Sequence, residues 1–311
     1  MKTLITGASG PYGSSVAQGL IDGGMPAANL ILTTRSPEKL ANFAALGADV
    51  RHADFDDRAS LDTAFAGAER ALFISTNRVG QRERQHGNAV AALAAAGVRH
   101  IVYTSFVGRE GAQSLAMADH RMTEALIRET GIEFTFMRNS QYADAMRDAA
   151  APGAARSGRW ITAAADGRIA LVTKADCIAA CVAVMGGEGF ENKVYHLTGP
   201  DLLSYRDLAG YTAMLSGRDI SYEIVDEEGL YQFFDSLGIP RTAQDDLVVD
   251  GFGWCSEDMV SFDFTVAAGD FAILTDDVQT LTGRPPRDVK SFFAERADVL
   301  RGLAQEAMEN T

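Results

Sequence analysis

Leu4-Ile5-Thr6-Gly7-Ala8-Ser9-Gly10-Pro11-Tyr12-Gly13 is the stretch from which the rest of the chain is read. A short apolar run of β type leads in, glycine recurs at every third residue, and an amphipathic segment leads out. Strand, glycine loop and helix in that order form the cradle that a dinucleotide pyrophosphate requires. Gly7 can make the tight turn, Gly10 lets main chain approach the phosphates, and Gly13 lets helix pack closely on strand. The phosphates would rest on N–H groups at the positive end of the helix. The spacing is G-x-x-G-x-x-G rather than the commoner G-x-G-x-x-G, so the loop takes its meaning from its surroundings.

Outward from the loop, strand-like and helical runs alternate. Lys2 to Thr6 precedes a helix from about Ser14 to Asp22, stopped by Gly23-Gly24. Leu30 to Thr34, Asp49 to Ala53, Ala71 to Ile74, His100 to Thr104 and Glu133 to Met137 read as further strands. Helices fall between them, including an Ala-rich one from about Glu83 to Ala96 and one from Ala116 to Glu129. This rhythm predicts an α/β fold, a Rossmann-type doubly wound parallel sheet with right-handed crossovers. After about Ala150 the rhythm changes. Residues 1–150 are expected to form the dinucleotide domain, with 169–198 returning to it. Residues 151–168 and 199–311 would form a smaller, mostly helical substrate lobe over the carboxyl edge of the sheet.

Composition narrows the function classes. Of 311 residues, 47% are hydrophobic and 23% charged, as in ordinary globular chains. A net charge of −14 argues against a phosphate-tracking surface, so no nucleic-acid partner is expected. Apolar runs such as Ile169 to Val172 are too short to span a bilayer. Met1 leads straight into the first strand without a basic leader, so a soluble, cytoplasmic protein is expected. The three cysteines offer neither a disulfide framework nor metal-ligand spacing; Cys177 and Cys181 read as buried small hydrophobes and no metal is expected.

The end of the second strand indicates the cofactor. An NAD site commonly places Asp or Glu there for the ribose 2′-hydroxyl. This chain has Thr33-Thr34-Arg35, with Lys39 a turn beyond. Arg35 suits a 2′-phosphate through charge-assisted contacts, so NADPH is expected over NADH. Asp54 and Phe55 could accept from the adenine amine and cover its face, or equally be an exposed cap and a core ring.

The segments ITGASGPYG, LTTRSPEK, ISTNRVGQRERQHGN and HRMTEALIRETGIEFTFMRNSQY carry a resemblance. The chain resembles the NmrA-like, atypical short-chain dehydrogenase/reductase family, and within it the bacterial quinone and triphenylmethane-dye reductases. The resemblance runs from Met1 to about Thr198 and returns from Thr275 to Arg287. It implies that Gly7, Ser9, Gly10, Pro11, Tyr12 and Gly13 form the phosphate loop and that Arg35 meets the 2′-phosphate. It further implies Ser75, Thr76 and Asn77 beside the ribose and nicotinamide. Thr104 and Ser105 fall where the wider superfamily keeps a substrate-facing hydroxyl, and Asn139 and Tyr142 fall beside the nicotinamide pocket.

The departure lies on the helix after the fifth strand. The wider superfamily carries Tyr-x-x-x-Lys there; here Ala116 takes the Tyr place and His120 the Lys place. His120 and Glu124 share a helix face and could hydrogen-bond, either as a surface pair or with His120 orienting the ribose or donating a proton. Hydride transfer to a simple ketone builds an alkoxide whose conjugate acid has a pKa of ~15.7. A quinone gives a phenolate of pKa ~10, a difference of about 6 units or ~8 kcal/mol. A conjugated acceptor can therefore dispense with the tyrosine. Phe106, Tyr142 and Trp160 are candidate substrate contacts. Phe252, Trp254, Met259, Phe262 and Phe271 could line the pocket, fill a core or cover a homodimer interface. The expected activity is NADPH-dependent reduction of a quinone-like or extended aromatic acceptor without flavin. The alternatives are a redox-sensing NADP(H)-binding regulator and a reductase of lignan- or isoflavone-like benzylic ethers.

Overall fold

The computed structural model describes residues 1–80, 82–244 and 255–309. The first half runs β1 (Thr3–Ile5), α1 (Pro11–Asp22), β2 (Leu30–Thr34), α2 (Ala41–Ala45), β3 (Asp49–His52), α3 (Arg58–Phe65) and β4 (Arg70–Phe73). It continues with α4 (Arg82–Ala95), β5 (His100–Phe106), α5 (Leu115–Glu129) and β6 (Glu133–Asn139). A helical run follows, α6 (Ala143–Ala145), a π turn (Met146–Ala150) and α7 (Ala151–Ser157), then β7 (Arg159–Thr162) and β8 (Arg168–Ile169). The chain then forms α8 (Lys174–Gly186), β9 (Lys193–Leu197), β10 (Leu203–Ser204), α9 (Tyr205–Ser216) and β11 (Ser221–Ile224). Five helices complete the described residues: α10 (Glu227–Ser236), α11 (Ser256–Ala267), α12 (Asp277–Thr282), α13 (Val289–Ala294) and α14 (Ala297–Glu309).

The main sheet has seven parallel strands in the order β3-β2-β1-β4-β5-β6-β9. Strand order reverses between β1 and β4, which opens the crevice where such sheets bind ligands. Leu4, Ile5, Leu30, Ile31, Leu32, Leu72 and Phe73 are all but fully buried because helices cover both faces. Each such side chain contributes about 1.5–3 kcal/mol. On one face α1 and α8 pack around Val16, Leu20, Cys177, Cys181 and Val184. On the other, α3, α4 and α5 enclose Leu61, Phe65, Leu93 and Ile127.

Helix starts follow local chemistry. Ser114, Thr173 and Asp226 cap α5, α8 and α10 with side-chain oxygens, and Ser204 with Asp207 closes a capping box on α9. The run Ile169 to Val172 forms only the short β8 and a bridge from Val172 to Tyr142. β9 joins the main sheet beside β6, and α12 packs on α8 and β9, so part of the C-terminal chain lies against the dinucleotide side. The lobe contains two small sheets, β11 with β7 and β10 with β8, beside its helices. Among the described residues no helix is long and apolar enough to cross a membrane, and no group of metal-ligating side chains is found.

Candidate active site

The glycine loop has the geometry of an anion cradle. Gly7 takes φ +58°, a conformation that disfavours a side chain. A Cβ on Gly13 would stand 2.7 Å from the Gly7 carbonyl oxygen and 2.9 Å from Ala8 Cα, so helix and strand meet there as closely as main chain allows. No side chain among the described residues caps Gly10, and the first turn of α1 carries no acidic residue. The positive helix end is thereby left for an external anion. Ser9 Oγ lies 2.6 Å from Thr34 Oγ1, which also accepts from the Ser36 N–H at 3.1 Å. These bonds tie the loop to the end of β2, where Arg35 is exposed. The Asp54 carboxylate accepts from the Asp56 N–H at 2.9 Å, and Phe55 packs on Phe73 with ring centroids 5.7 Å apart.

The β4–α4 loop carries Ser75, Thr76 and Asn77 and is pinned by its main chain. The Ser75 N–H donates to Thr104 Oγ1 at 2.9 Å. The Thr76 N–H donates to His86 Nε2 at 3.2 Å, while Arg82 Nε donates to the Thr76 carbonyl at 2.7 Å. The Gly80 N–H donates to Asp119 Oδ2 at 2.7 Å. His86 Nδ1 in turn meets Thr123 Oγ1 at 2.7 Å. Asn77, at the loop's outer side, is exposed.

His120 is buried between Arg82 Nη1, 3.2 Å from its Nε2, and the Tyr103 hydroxyl, 2.8 Å from its Nδ1. An arginine only donates, so Nε2 is the acceptor and the proton of the neutral ring sits on Nδ1. Burial, and secondly the Arg82 charge, push the His120 pKa well below its ordinary value. This corrects the expected His120–Glu124 pair and the expected proton donor: the ring is a neutral tie. Glu124 faces Ser105 Oγ at 2.6 Å, Arg138 at 2.6 Å and 2.8 Å, and Arg121 at 3.0 Å. Burial works to raise its pKa, but the hydrogen bonds from Arg138 and Ser105 outweigh it and hold the carboxylate ionised.

Ser105 is corrected on the same ground. Strand alternation points Thr104 toward the β4 loop and Ser105 toward α5, where its hydroxyl donates to buried Glu124. At the end of β6, Asn139 Nδ2 donates to the Tyr142 hydroxyl at 2.9 Å, whereas Asn139 Oδ1 is buried with no hydrogen-bond partner among the described residues. A buried amide oxygen without a donor suits a ligand amide. Burial pushes the Tyr142 pKa well above the phenol range, which makes it a reluctant acid. Tyr12 of the glycine loop turns its hydroxyl to Cys181 Sγ at 3.0 Å.

The aromatic candidates divide. Phe106 is half-buried and meets Phe262 and Phe271 with centroids 5.6 Å and 5.3 Å apart, and it stacks on His120 at 6.1 Å. Trp160 does not join them: it is buried in the lobe against Tyr205, with centroids 6.4 Å apart, and its substrate role is corrected to core packing. Met259 packs with Leu230 and Phe234. Phe252 and Trp254 lie outside the described residues.

Sequence reasoning missed Arg82, Tyr103, Arg138 and Asp258. Asp258 of α11 accepts from the Ala116 N–H at 3.3 Å, and Ser261 accepts from the Leu115 N–H at 3.2 Å, so the lobe caps α5. A signal was present in α4: Arg82, Gln85 and His86 are polar on the face that continues as Ala89, Val90 and Leu93. Polar residues on a buried stripe imply an internal network.

Quinone oxidoreductase 2 of Escherichia coli (strain K12) is 38% identical over 250 residues, spanning 80% of this chain and 86% of that protein. The structure of an Escherichia coli NADPH-dependent quinone oxidoreductase complexed with NADPH superposes with a TM-score of 0.84 at 33% identity, covering 96% of this chain and 99% of that one. Citrobacter sp. triphenylmethane reductase complexed with NADP(H) gives a TM-score of 0.83 at 30% identity, covering 96% and 100%. The model of the NmrA-like family matches residues 1–249, and the chain belongs to that family.

Proposed function

We propose that the protein is an NADPH-dependent oxidoreductase that reduces quinone-like or extended aromatic acceptors directly, without flavin. The observation that carries this reading is the joint geometry at the carboxyl edge of the sheet. An uncapped glycine cradle and Arg35 stand at one end, and at the other stands Asn139, whose Oδ1 has no partner among the described residues and which pairs in register with Phe106 across β5 and β6. The bound cofactor supplies the hydride. Gly7, Gly10 and Gly13 admit its pyrophosphate, Arg35 meets the 2′-phosphate, and Asn139 accepts from the carboxamide. The family relatives named for quinones and triphenylmethane dyes support the same acceptor class.

No tyrosine acid stands on α5, since Ala116 holds that place and Tyr142 is held to Asn139. The acceptors that suit such a site are those whose reduced form is a stabilised anion or a neutral molecule. Phe106 and Phe262 offer an apolar wall for a flat ring. The test follows NADPH consumption by the purified protein against a panel of quinones, triarylmethane dyes and simple ketones. Turnover with the first two groups, none with ketones, and no flavin absorbance are expected. NADPH binding without turnover on any conjugated acceptor would leave the regulator as the better reading.

A further inference from the structure

We propose that Arg82 is a positioning residue for hydride transfer, holding the nicotinamide end of the site through Thr76 and His120. This rests on the reading above, in which the β4–α4 loop borders the nicotinamide ribose. Arg82 is 6% exposed, and its guanidinium donates from Nε to the Thr76 carbonyl at 2.7 Å and from Nη1 to His120 Nε2 at 3.2 Å. One planar fork therefore joins the loop after β4 to helix α5. His120 occupies the place where the wider superfamily has a lysine, yet its ring is neutral. The fixed positive charge at that place is carried by Arg82, from the start of α4.

The surrounding groups fit a fixed cation. Asp119 Oδ2 of α5 lies 4.0 Å from Arg82 Nε and also takes the Gly80 N–H. Asp258 of α11 faces the guanidinium electrostatically while holding the Ala116 N–H, and neutral His86 and His120 complete the shell. Both main-chain polar groups of Thr76 are thus held by side chains of α4: its N–H by His86 and its carbonyl by Arg82. A loop pinned at both groups has little freedom to drift. The adenosine half of a dinucleotide would be held independently by the glycine loop and Arg35.

That separation sets the test. In Arg82→Met, NADPH affinity, read by quenching of protein fluorescence, should stay within about threefold, while the single-turnover rate of NADPH oxidation by a quinone falls about 10²-fold. Deuterium at the transferred position of NADPH should then give a fully expressed isotope effect. Arg82→Lys restores a charge but cannot reach both acceptors, so it should recover the rate only in part. A merely structural arginine would lower the fraction of folded protein and leave the rate per bound NADPH unchanged, which would overturn the proposal. If Arg82→Met does not fold, Arg82→Lys decides: a reduced rate at wild-type affinity supports it and an unchanged rate overturns it. Wild-type protein that fails to bind NADPH would overturn the reading of the site, and the proposal with it.

Discussion

Arg35 is exposed at the end of β2, one residue beyond the Thr34 that the glycine loop grips through Ser9. On the proposed reading it meets the 2′-phosphate from that strand end, and its charge would set the cofactor preference. Arg35→Gln should weaken NADPH about 10- to 100-fold, the worth of a charge-assisted bond, and leave NADH affinity nearly unchanged. Parallel titrations of the two cofactors check this, and raised salt should narrow the difference. The places of Gly7, Gly10 and Gly13 between β1 and α1, and of Arg35 after β2, were legible in the sequence because strand-loop-helix order is local. His120 was legible as a position but not as a chemical state. Spacing of four residues suggested a Glu124 partner, whereas Arg138 from β6 draws Glu124 away and Arg82 from α4 takes His120. No local pattern encodes those contacts, which come from residues 14 and 38 positions distant.

At the scale of elements, the sheet depends on how its helices are closed. Arg70 on β4 is buried and donates to the carbonyls of Val184 at 2.8 Å, Met185 at 3.2 Å and Gly187 at 2.8 Å, which ends α8. Helix α8 lacks a basic residue in its last turn, so the cation at its negative end comes from a strand 114 residues away. Arg70→Met should cost about 2–4 kcal/mol, because buried carbonyls lose a charged donor. Urea unfolding checks this, and the loss should appear with little change in NADPH affinity, since α8 ends at the sheet edge opposite the glycine loop. The alternation of strands and helices was readable from hydrophobic period and glycine stops. The short strands β7, β8, β10 and β11 were not, because they stand outside the regular strand-helix alternation and exist only as two small two-stranded pairs.

For the whole molecule, helix α11 carries two buried acids, Asp263 facing the lobe and Asp258 facing α5. Asp263 of α11 accepts from the Thr162 hydroxyl and from the Ala163 N–H at 2.9 Å, and burial pushes its pKa up to about 6. Asp258 on the same helix is likewise pushed up to about 6 by burial. A carboxyl with a raised folded pKa binds more protons folded than unfolded between the two values. Stability contributed by these acids is therefore greatest below about pH 4 and declines as pH rises to about 6. Two units amount to at most about 3 kcal/mol for one group. The difference in unfolding free energy between wild type and Asp263→Asn should grow in favour of the variant across that window and level off above it. Thermal unfolding from pH 4 to pH 8 checks this; a constant difference would refute it.

The sequence by itself determined the Rossmann-type fold, the glycine turn between β1 and α1, the place of Arg35 at the end of β2 and the lack of a tyrosine on α5. Each of these depends on nearest neighbours: a glycine where main chain must approach, a period matching one helix face, a cation at a strand end. Only the tertiary structure decided that Ser105 serves Glu124, that Trp160 lies in the core, and that His120 is a neutral tie beneath Arg82. Those outcomes depend on which buried donor finds which acceptor across α4, α5, β6 and α11. Burial makes each such pairing obligatory, yet the chain places the partners far apart.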